Sequence, residues 1–139
     1  MKPNEMLGFT LVELLVVLAI LGLLVGLVGP QVMKHLGRAK GQTATLQIAD
    51  LSAALDAFYL DVGRYPTTDE GLLALVQTPA TAVGWNGPYL KKKSVPKDPW
   101  AHDYVYQAPA TAVPYDLLSF GADGVAGGEG DNADLRYDN

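Results

Sequence analysis

The residues that decide the fold run from Phe9 to Gly29 and read FTLVELLVVLAILGLLVGLVG. This stretch has 21 residues and one charged side chain, Glu13. At about 1.5 Å of rise per residue, a helix of this length spans about 31 Å, which matches the hydrocarbon thickness of a bilayer. The sequence therefore predicts one transmembrane helix over residues 9–29.

A cleaved secretory signal is the alternative interpretation of this apolar run. Such signals usually have an apolar core of about 7 to 15 residues, followed by a small-x-small cleavage site. The run from Phe9 is longer, and no such site follows it before Pro30. A membrane span is therefore favoured.

The chain from Pro30 onward is polar, rich in Gly and Pro, and acidic towards its end. A globular head of roughly 110 residues buries only a modest core, so packing against a continued helix or a bound ion would stabilise it. The 139 residues carry a formal net charge of −5 and include no cysteine. This composition excludes a disulfide framework, a thiolate metal site and a cysteine nucleophile, and the acidic end argues against nucleic acid as a partner.

Apolar residues continue beyond the membrane segment with helical spacing, at steps of three and four: Ile48, Leu51, Leu55, Phe58 and Val62. The pattern predicts that the helix continues to about Val62 and stops at Gly63. The apolar stripe covers either the core of its own domain or a partner helix in a coiled coil. The first interpretation is favoured because two heptads without flanking charges make a weak zipper.

The remainder of the chain predicts short elements. Thr67 and Glu70 fit the Thr-x-x-Glu capping box of a short helix. That helix would bury Leu72, Leu75 and Val76. Residues 104–107 and 115–120 are rich in aromatic and branched side chains and bounded by Pro and Gly, which is typical of antiparallel strands. The predicted fold class is α+β, with a long N-terminal helix packed against a small antiparallel sheet.

The junction Gly8–Glu13, GFTLVE, resembles the processing site of type IV pilins and pseudopilins. The resemblance implies that a prepilin peptidase removes residues 1–8 as a leader, cuts between Gly8 and Phe9, and N-methylates Phe9. It divides the remainder into a transmembrane or fibre-core helix, 9–29, and a pilin-like head, 30–139. It also implies a single-pass protein of the bacterial inner membrane with its head in the periplasm, although the basic residues Lys34, Arg38 and Lys40 favour the opposite orientation by charge bias.

Glu13 and Pro30 are the expected assembly residues. A carboxylate at the bilayer centre costs about 2.5 to 3.5 kcal/mol on insertion scales, so Glu13 needs a partner, lies near the headgroups, or is protonated. The pilin resemblance implies that its partner is the N-terminal amine of a neighbouring subunit. Pro30 removes a helical hydrogen bond, and nearby Gly22, Gly26 and Gly29 weaken the same stretch, which predicts a kinked or locally unwound helix from about Gly22 to Pro30.

Three further motifs resemble the major pseudopilins of type II secretion systems: Tyr65–Leu72 (YPTTDEGL), Trp85–Leu90 (WNGPYL) and Asp98–Trp100 (DPW). Where that family usually continues with Gly, this chain has Ala101. The resemblance implies a structural subunit that polymerises into a helical homopolymer, a periplasmic fibre that drives protein export. The implied partners are copies of itself, minor pseudopilins, the prepilin peptidase, the inner-membrane assembly platform and membrane lipid.

The acidic loop at residues 119–134, SFGADGVAGGEGDNAD, spaces carboxylates among glycines. This composition suits Ca²⁺, which takes six to eight oxygen ligands, and it equally suits a solvated disordered loop. The resemblance to pseudopilin calcium loops favours calcium. It assigns the side chains of Asp123 and Asp134 and the carbonyls of Phe120 and Val125 as ligands, with Asp131 as a further carboxylate.

Other functions remain as alternatives. A type IV or DNA-uptake pilin is close, although such heads often carry a cysteine pair that this chain lacks. A membrane-tethered calcium-dependent binding module is more distant. An enzyme is disfavoured because His35 and His102 have no nucleophilic serine beside them in sequence. The cluster Lys91–Lys93 is a solvated edge, or a contact for the acidic segment of an adjacent subunit.

Overall fold

The computed structural model describes residues 8–138. Its elements are α1 (Leu11–Val62), a 3₁₀ helix (Leu72–Leu75), β1 (Val105–Gln107), β2 (Asp116–Ser119), a second 3₁₀ helix (Gly130–Asn132) and β3 (Leu135–Arg136). The chain divides into two compact units, one ending at Leu36 and one beginning at Gly37. Residues 1–7 of the predicted leader lie outside the described residues.

The first unit contains the apolar part of α1. Almost every side chain from Leu11 to Leu36 is exposed, including those of Leu18 and Leu23. The helix is long and apolar enough to cross a membrane, and none of its most apolar window is buried. An exposed apolar surface of this kind is stable in lipid or against other apolar helices, which agrees with the predicted span.

Pro30 lies within α1 without interrupting it, because α1 is continuous from Leu11 to Val62. The local unwinding predicted as one alternative between Gly22 and Pro30 is therefore wrong for the single chain, whereas the other alternative, a kink, stays a prediction. Proline removes one backbone donor, whereas the residues on either side keep their helical hydrogen bonds and the apolar side chains favour the helix. One lost bond is insufficient to open the turn.

The predicted stripe on the second part of α1 forms the core of the second unit. Leu55 and Phe58 are fully buried, Leu51 is 1% exposed and Ile48 is 3% exposed. They contact the buried side chains of the head, including Leu75, Tyr115 and Leu117. α1 ends at Val62, and Gly63 follows with a φ of 82°, as the sequence predicts for a glycine stop.

The head sheet has three antiparallel strands in the order β1-β2-β3. In the register, Tyr106 lies opposite Leu117 and Leu118 lies opposite Arg136. β1 and β2 confirm the two predicted strands, each one or two residues shorter than expected. β3 was not predicted, since two residues are too few to show an alternating pattern.

The predicted capping box at Thr67 forms, but the helix that follows is shorter than expected. The Glu70 carboxylate accepts the Thr67 N–H at 2.8 Å, and the Thr67 hydroxyl accepts the Glu70 N–H at 3.2 Å. Gly71 then adopts a φ of 58°, which ends this turn, and the 3₁₀ helix covers Leu72–Leu75 alone. Val76 lies beyond the helix and is only partly buried.

Candidate functional site

The junction predicted for processing is open to solvent. Gly8 and Phe9 precede α1 in a non-helical conformation, and Phe9 is 83% exposed. Among residues 8–138, no atom would lie within 4 Å of a Cβ atom placed on Gly8. The bond between Gly8 and Phe9 is therefore accessible, and a larger residue at position 8 would fit without disturbing the chain.

Glu13 has a partner within its own chain that the sequence analysis missed. Its carboxylate accepts hydrogen bonds from the Thr10 N–H at 2.8 Å and the Thr10 hydroxyl at 3.1 Å. In return, the Thr10 hydroxyl accepts the Glu13 N–H at 3.2 Å. This is a capping box at the start of α1. Its signal, Thr-x-x-Glu, is present in the sequence but lies inside the apolar run, whose hydrophobic pattern predicts a membrane span rather than a helix cap.

Asp98 is a buried structural centre of the head. Its side chain is fully buried, and one carboxylate oxygen accepts the backbone N–H groups of Trp100 at 3.0 Å and His102 at 2.9 Å. The other oxygen accepts the Ser119 hydroxyl at 2.6 Å. Because Ser119 ends β2, this carboxylate joins the Asp98–His102 turn to the sheet. The Asp-Pro-Trp motif therefore has an architectural role in the head.

Ala101 occupies the strained position of the same turn. Its φ is 70°, the left-handed region, and no other non-glycine residue of the described chain has a positive φ. A β-carbon is unfavourable there, so glycine would fit better. The turn after Trp100 therefore keeps a glycine-type conformation although alanine occupies the position.

The motif Trp85–Leu90 packs against the core. The Trp85 indole N–H donates to the carbonyl of Ala74 at 2.8 Å. The Tyr89 hydroxyl donates to Asp61 on α1 at 2.8 Å, and the Tyr89 ring meets Phe58 edge to face. These contacts hold the segment against α1 and against the 3₁₀ helix Leu72–Leu75.

The acidic loop at residues 119–134, the glycine-rich loop, is strongly curved. Positive φ values occur at Gly121, Gly124, Gly127, Gly128 and Gly130. At Gly121 a Cβ would lie 2.8 Å from the carbonyl oxygens of Asp131 and Ala133, so only glycine allows the two ends of the loop to approach. The Ala122 N–H donates to the carbonyl of Asp131 at 2.9 Å and closes the loop.

The loop carboxylates predicted as calcium ligands have separate surroundings. The Asp134 carboxylate points across the loop and accepts the Gly127 N–H at 3.0 Å, whereas Asp123 accepts the Val125 N–H at 3.2 Å. Asp131 faces Gly37 of α1. Among residues 8–138 no three acids, histidines or cysteines are close enough to form a metal site by themselves. A cation here would therefore depend on backbone carbonyls such as those of Phe120 and Val125.

The three lysines at 91–93 are exposed on an irregular segment. Within the described chain none of them forms an ion pair, while the neighbouring Lys97 pairs with Asp103 at 3.1 Å. Lys91 and Lys92 border a groove of about 360 Å³ beside Gln47 and Asp50 of α1. Their surroundings agree with a solvated edge.

Two family models match the chain. Residues 31–138 match the type II secretion system (T2SS) protein G, and residues 6–29 match the prokaryotic N-terminal methylation motif. The chain belongs to the type II secretion system protein G family. The second match covers the junction at Gly8 and the apolar helix that follows it.

Relatives of the protein G family extend over nearly the whole chain. The type II secretion system core protein G of Pseudomonas aeruginosa is 46% identical over 144 aligned positions, with 100% of each chain covered. That of Vibrio cholerae is 43% identical and covers 96% of this chain and 92% of its own. The crystal structure of the major pseudopilin of enterohaemorrhagic Escherichia coli is 32% identical, with a TM-score of 0.63 over 75% of this chain and 90% of that one.

The family and the geometry agree on the kind of protein. Protein G of type II secretion is a structural pseudopilin subunit, not an enzyme. The predicted α+β pilin-like fold is confirmed by the pseudopilin structure and by the helix and sheet described above. Accordingly, the residues of the family motifs in the head cap a turn, pack against the core and stabilise a second turn.

Proposed function

We propose that this protein G family member polymerises through the apolar part of α1 into the type II secretion pseudopilus, a periplasmic fibre that drives protein export. The observation that carries the proposal is an apolar helix, exposed on all sides from Leu11 to Leu36, whose one acid lies close to the processing junction. Such a helix is equally stable in lipid and among identical helices. Its partners are copies of itself, minor pseudopilins and the inner-membrane assembly platform.

Processing is the first step of this proposal. A prepilin peptidase cuts between Gly8 and Phe9 and N-methylates Phe9, which is supported by the match to the methylation motif. Mass spectrometry of the chain extracted from membranes should find methylated Phe9 as the first residue. Gly8→Val should keep the leader although its head folds normally, because a side chain at position 8 meets no atom of the described chain within 4 Å. An intact leader on the parent chain in mature membranes contradicts the proposal.

The second step is pairing of Glu13 with the amine of Phe9 in a neighbouring subunit, which fixes the axial register of otherwise unspecific helices. Glu13→Gln should abolish fibre formation and secretion while the subunit still accumulates in the membrane. Thr10→Ala is the matched control, because it removes the hydroxyl that donates to the Glu13 carboxylate and accepts the Glu13 N–H, but keeps the charge. If Thr10→Ala and Glu13→Gln are equally defective, helix capping explains the role of Glu13, and intermolecular pairing is refuted.

The proposed orientation places the head in the periplasm and α1 once across the inner membrane. This orientation disagrees with the positive-inside rule, because the basic residues Lys34, Arg38 and Lys40 favour a cytoplasmic head. Protease added to spheroplasts should digest residues 37–139 while a cytoplasmic marker protein stays intact. If the head is digested only after the membrane is dissolved, it lies in the cytoplasm and the proposed orientation is wrong.

We also propose that the glycine-rich loop binds Ca²⁺. The carboxylates of Asp123 and Asp134 and the carbonyls of Phe120 and Val125 would hold the ion; Asp131 is the further predicted ligand. The proposal is supported by the curved backbone and by the Asp134 carboxylate that points across the loop. Bound calcium would neutralise the repulsion among these acids and fix a loop with little apolar content.

The calcium proposal is tested by thermal unfolding of the full chain in detergent, with calcium or with chelator. A free calcium concentration of about 100 times Kd should raise the free energy of unfolding by about 2.7 kcal/mol. Asp134→Ala should remove the calcium-dependent increase in Tm, whereas Asp69→Ala, an exposed acid outside the loop, should preserve it. An unchanged Tm of the parent chain, together with no calcium in metal analysis, refutes the site.

A further inference from the structure

Gly37 is buried on a part of α1 that is otherwise open to solvent. Residues 31–36 and 38–39 are all exposed. A glycine with exposed neighbours has no side chain of its own to shield it, so another part of the second unit must cover its backbone. Gly37 therefore marks a contact on the surface of α1.

The group that covers Gly37 is the carboxylate of Asp131 in the glycine-rich loop. A Cβ atom added to Gly37 would collide with the Asp131 carboxyl carbon and with both of its oxygens. One turn further along α1, a Cβ on Gly41 would meet nothing within 4 Å. The close approach is thus specific to position 37, and any side chain there must displace Asp131.

Asp131 is held against the helix by its own backbone. Its carbonyl accepts the Ala122 N–H at 2.9 Å, and it lies in the 3₁₀ helix Gly130–Asn132. Within the described residues its carboxylate accepts no hydrogen bond, and the residue stays exposed, so the side chain keeps water on its outer face. Cα–H groups of glycine are weak donors to oxygen, and contacts of this kind recur where backbones meet closely.

We propose that Gly37 and Asp131 form a latch that docks the glycine-rich loop on α1. Gly37 has no side chain, and the Asp131 carboxylate lies in the space that a side chain at this position would take. The latch gives Asp131 a positioning role on the surface of the helix, and it holds with or without a bound cation. It links residues near the end of the chain to the first residue of the second unit.

The test compares two glycine-to-alanine substitutions on the same helix, using the full chain in detergent with chelator present. Alanine is a better helix former than glycine, so Gly41→Ala should raise Tm by about 4 to 8 °C. Gly37→Ala should instead lower Tm by about 4 °C or more, because the new methyl group collides with Asp131. Fluorescence of Trp85 and Trp100 follows the unfolding of the head.

An Asp131→Ala background makes the test specific for the latch. In that background Gly37→Ala should raise Tm by about as much as Gly41→Ala does, because the colliding carboxylate is gone. If Gly37→Ala fails to fold alone, recovery in the double variant supports the latch in the same way. The proposal is refuted if Gly37→Ala stabilises the parent chain as Gly41→Ala does, or if it destabilises both backgrounds equally. Because chelator is present throughout, neither result depends on the calcium proposal.

Discussion

Replacing Ala101 by glycine should make this protein more stable, although glycine usually weakens a fold. Ala101 adopts a φ of 70° in the turn that follows the Asp-Pro-Trp motif. The turn is fixed on both sides, since the Ala101 N–H donates to the carbonyl of Asp98 and the Asp98 N–H donates to that of His102, each at 2.9 Å. The backbone therefore cannot relax to a conformation that alanine prefers.

The size of the effect follows from two opposing contributions. The left-handed conformation costs an L-residue about 1 to 2 kcal/mol. Glycine relieves that strain but has more freedom in the unfolded chain, which offsets about 0.4 to 1 kcal/mol. The net gain is about 1 kcal/mol, equivalent to a rise in Tm of about 4 to 8 °C for a head of roughly 100 residues.

The assay is thermal unfolding of the full chain in detergent, followed by tryptophan fluorescence and circular dichroism. Ala53→Gly is the matched control, because it makes the same chemical change at an exposed helical position. That control should lose about 1 kcal/mol. The reasoning about Ala101 is refuted if Ala101→Gly lowers Tm in the same direction as Ala53→Gly.

Three other predictions concern the head. Hydrogen bonding to Arg64 lowers the pKa of Glu70 to about 2, so the stabilisation from this pair is complete above the unfolded pKa of 4.5 and is lost as pH falls through about 2. Glu70→Gln should therefore cost about 1 to 2 kcal/mol at pH 7 by urea titration, and the cost should shrink steadily as pH falls from 4.5 to 2. Ser119→Ala should cost about 1 to 3 kcal/mol, because it removes the hydroxyl donor of the buried Asp98 oxygen, and an unchanged urea midpoint would contradict this. Phe58→Ala should cost about 3 to 5 kcal/mol in the same titration, and a loss below 1 kcal/mol would contradict its central place in the core.

Most of the correct predictions from the sequence rest on patterns among neighbouring residues. The stripe at Ile48–Val62 predicted the buried face of α1, and Gly63 predicted its end, because helical periodicity and a glycine stop are properties of neighbouring residues. The capping box at Thr67 was found by the same logic. The capping box at Thr10 has the same Thr-x-x-Glu pattern but was not predicted, because it lies within an apolar run that is typical of a membrane span.

Long-range contacts could not be predicted in this way. Asp98 is an acid in a turn, and nothing near it in sequence indicates that Ser119 will bury one of its oxygens. The contact of Asp131 with Gly37 joins residues almost a hundred positions apart, so the resemblance of the loop to calcium loops led only to a metal-ligand prediction for Asp131. The unwinding predicted near Pro30 is wrong for a different reason, because a count of helix-weakening residues takes no account of the helical hydrogen bonds that remain.

The capping box at Thr10 has a consequence for how a subunit could change its environment. In the single chain, Oε2 of the acid in the apolar segment already accepts two hydrogen bonds from one neighbouring threonine, so this oxygen has donors before the segment enters lipid. Addition to a fibre would then be an exchange of donors, in which a methylated amine replaces a hydroxyl and an amide. With the proposed pairing, the contribution of this acid to the free energy of joining a fibre would be the difference between two sets of hydrogen bonds rather than the full value of one set.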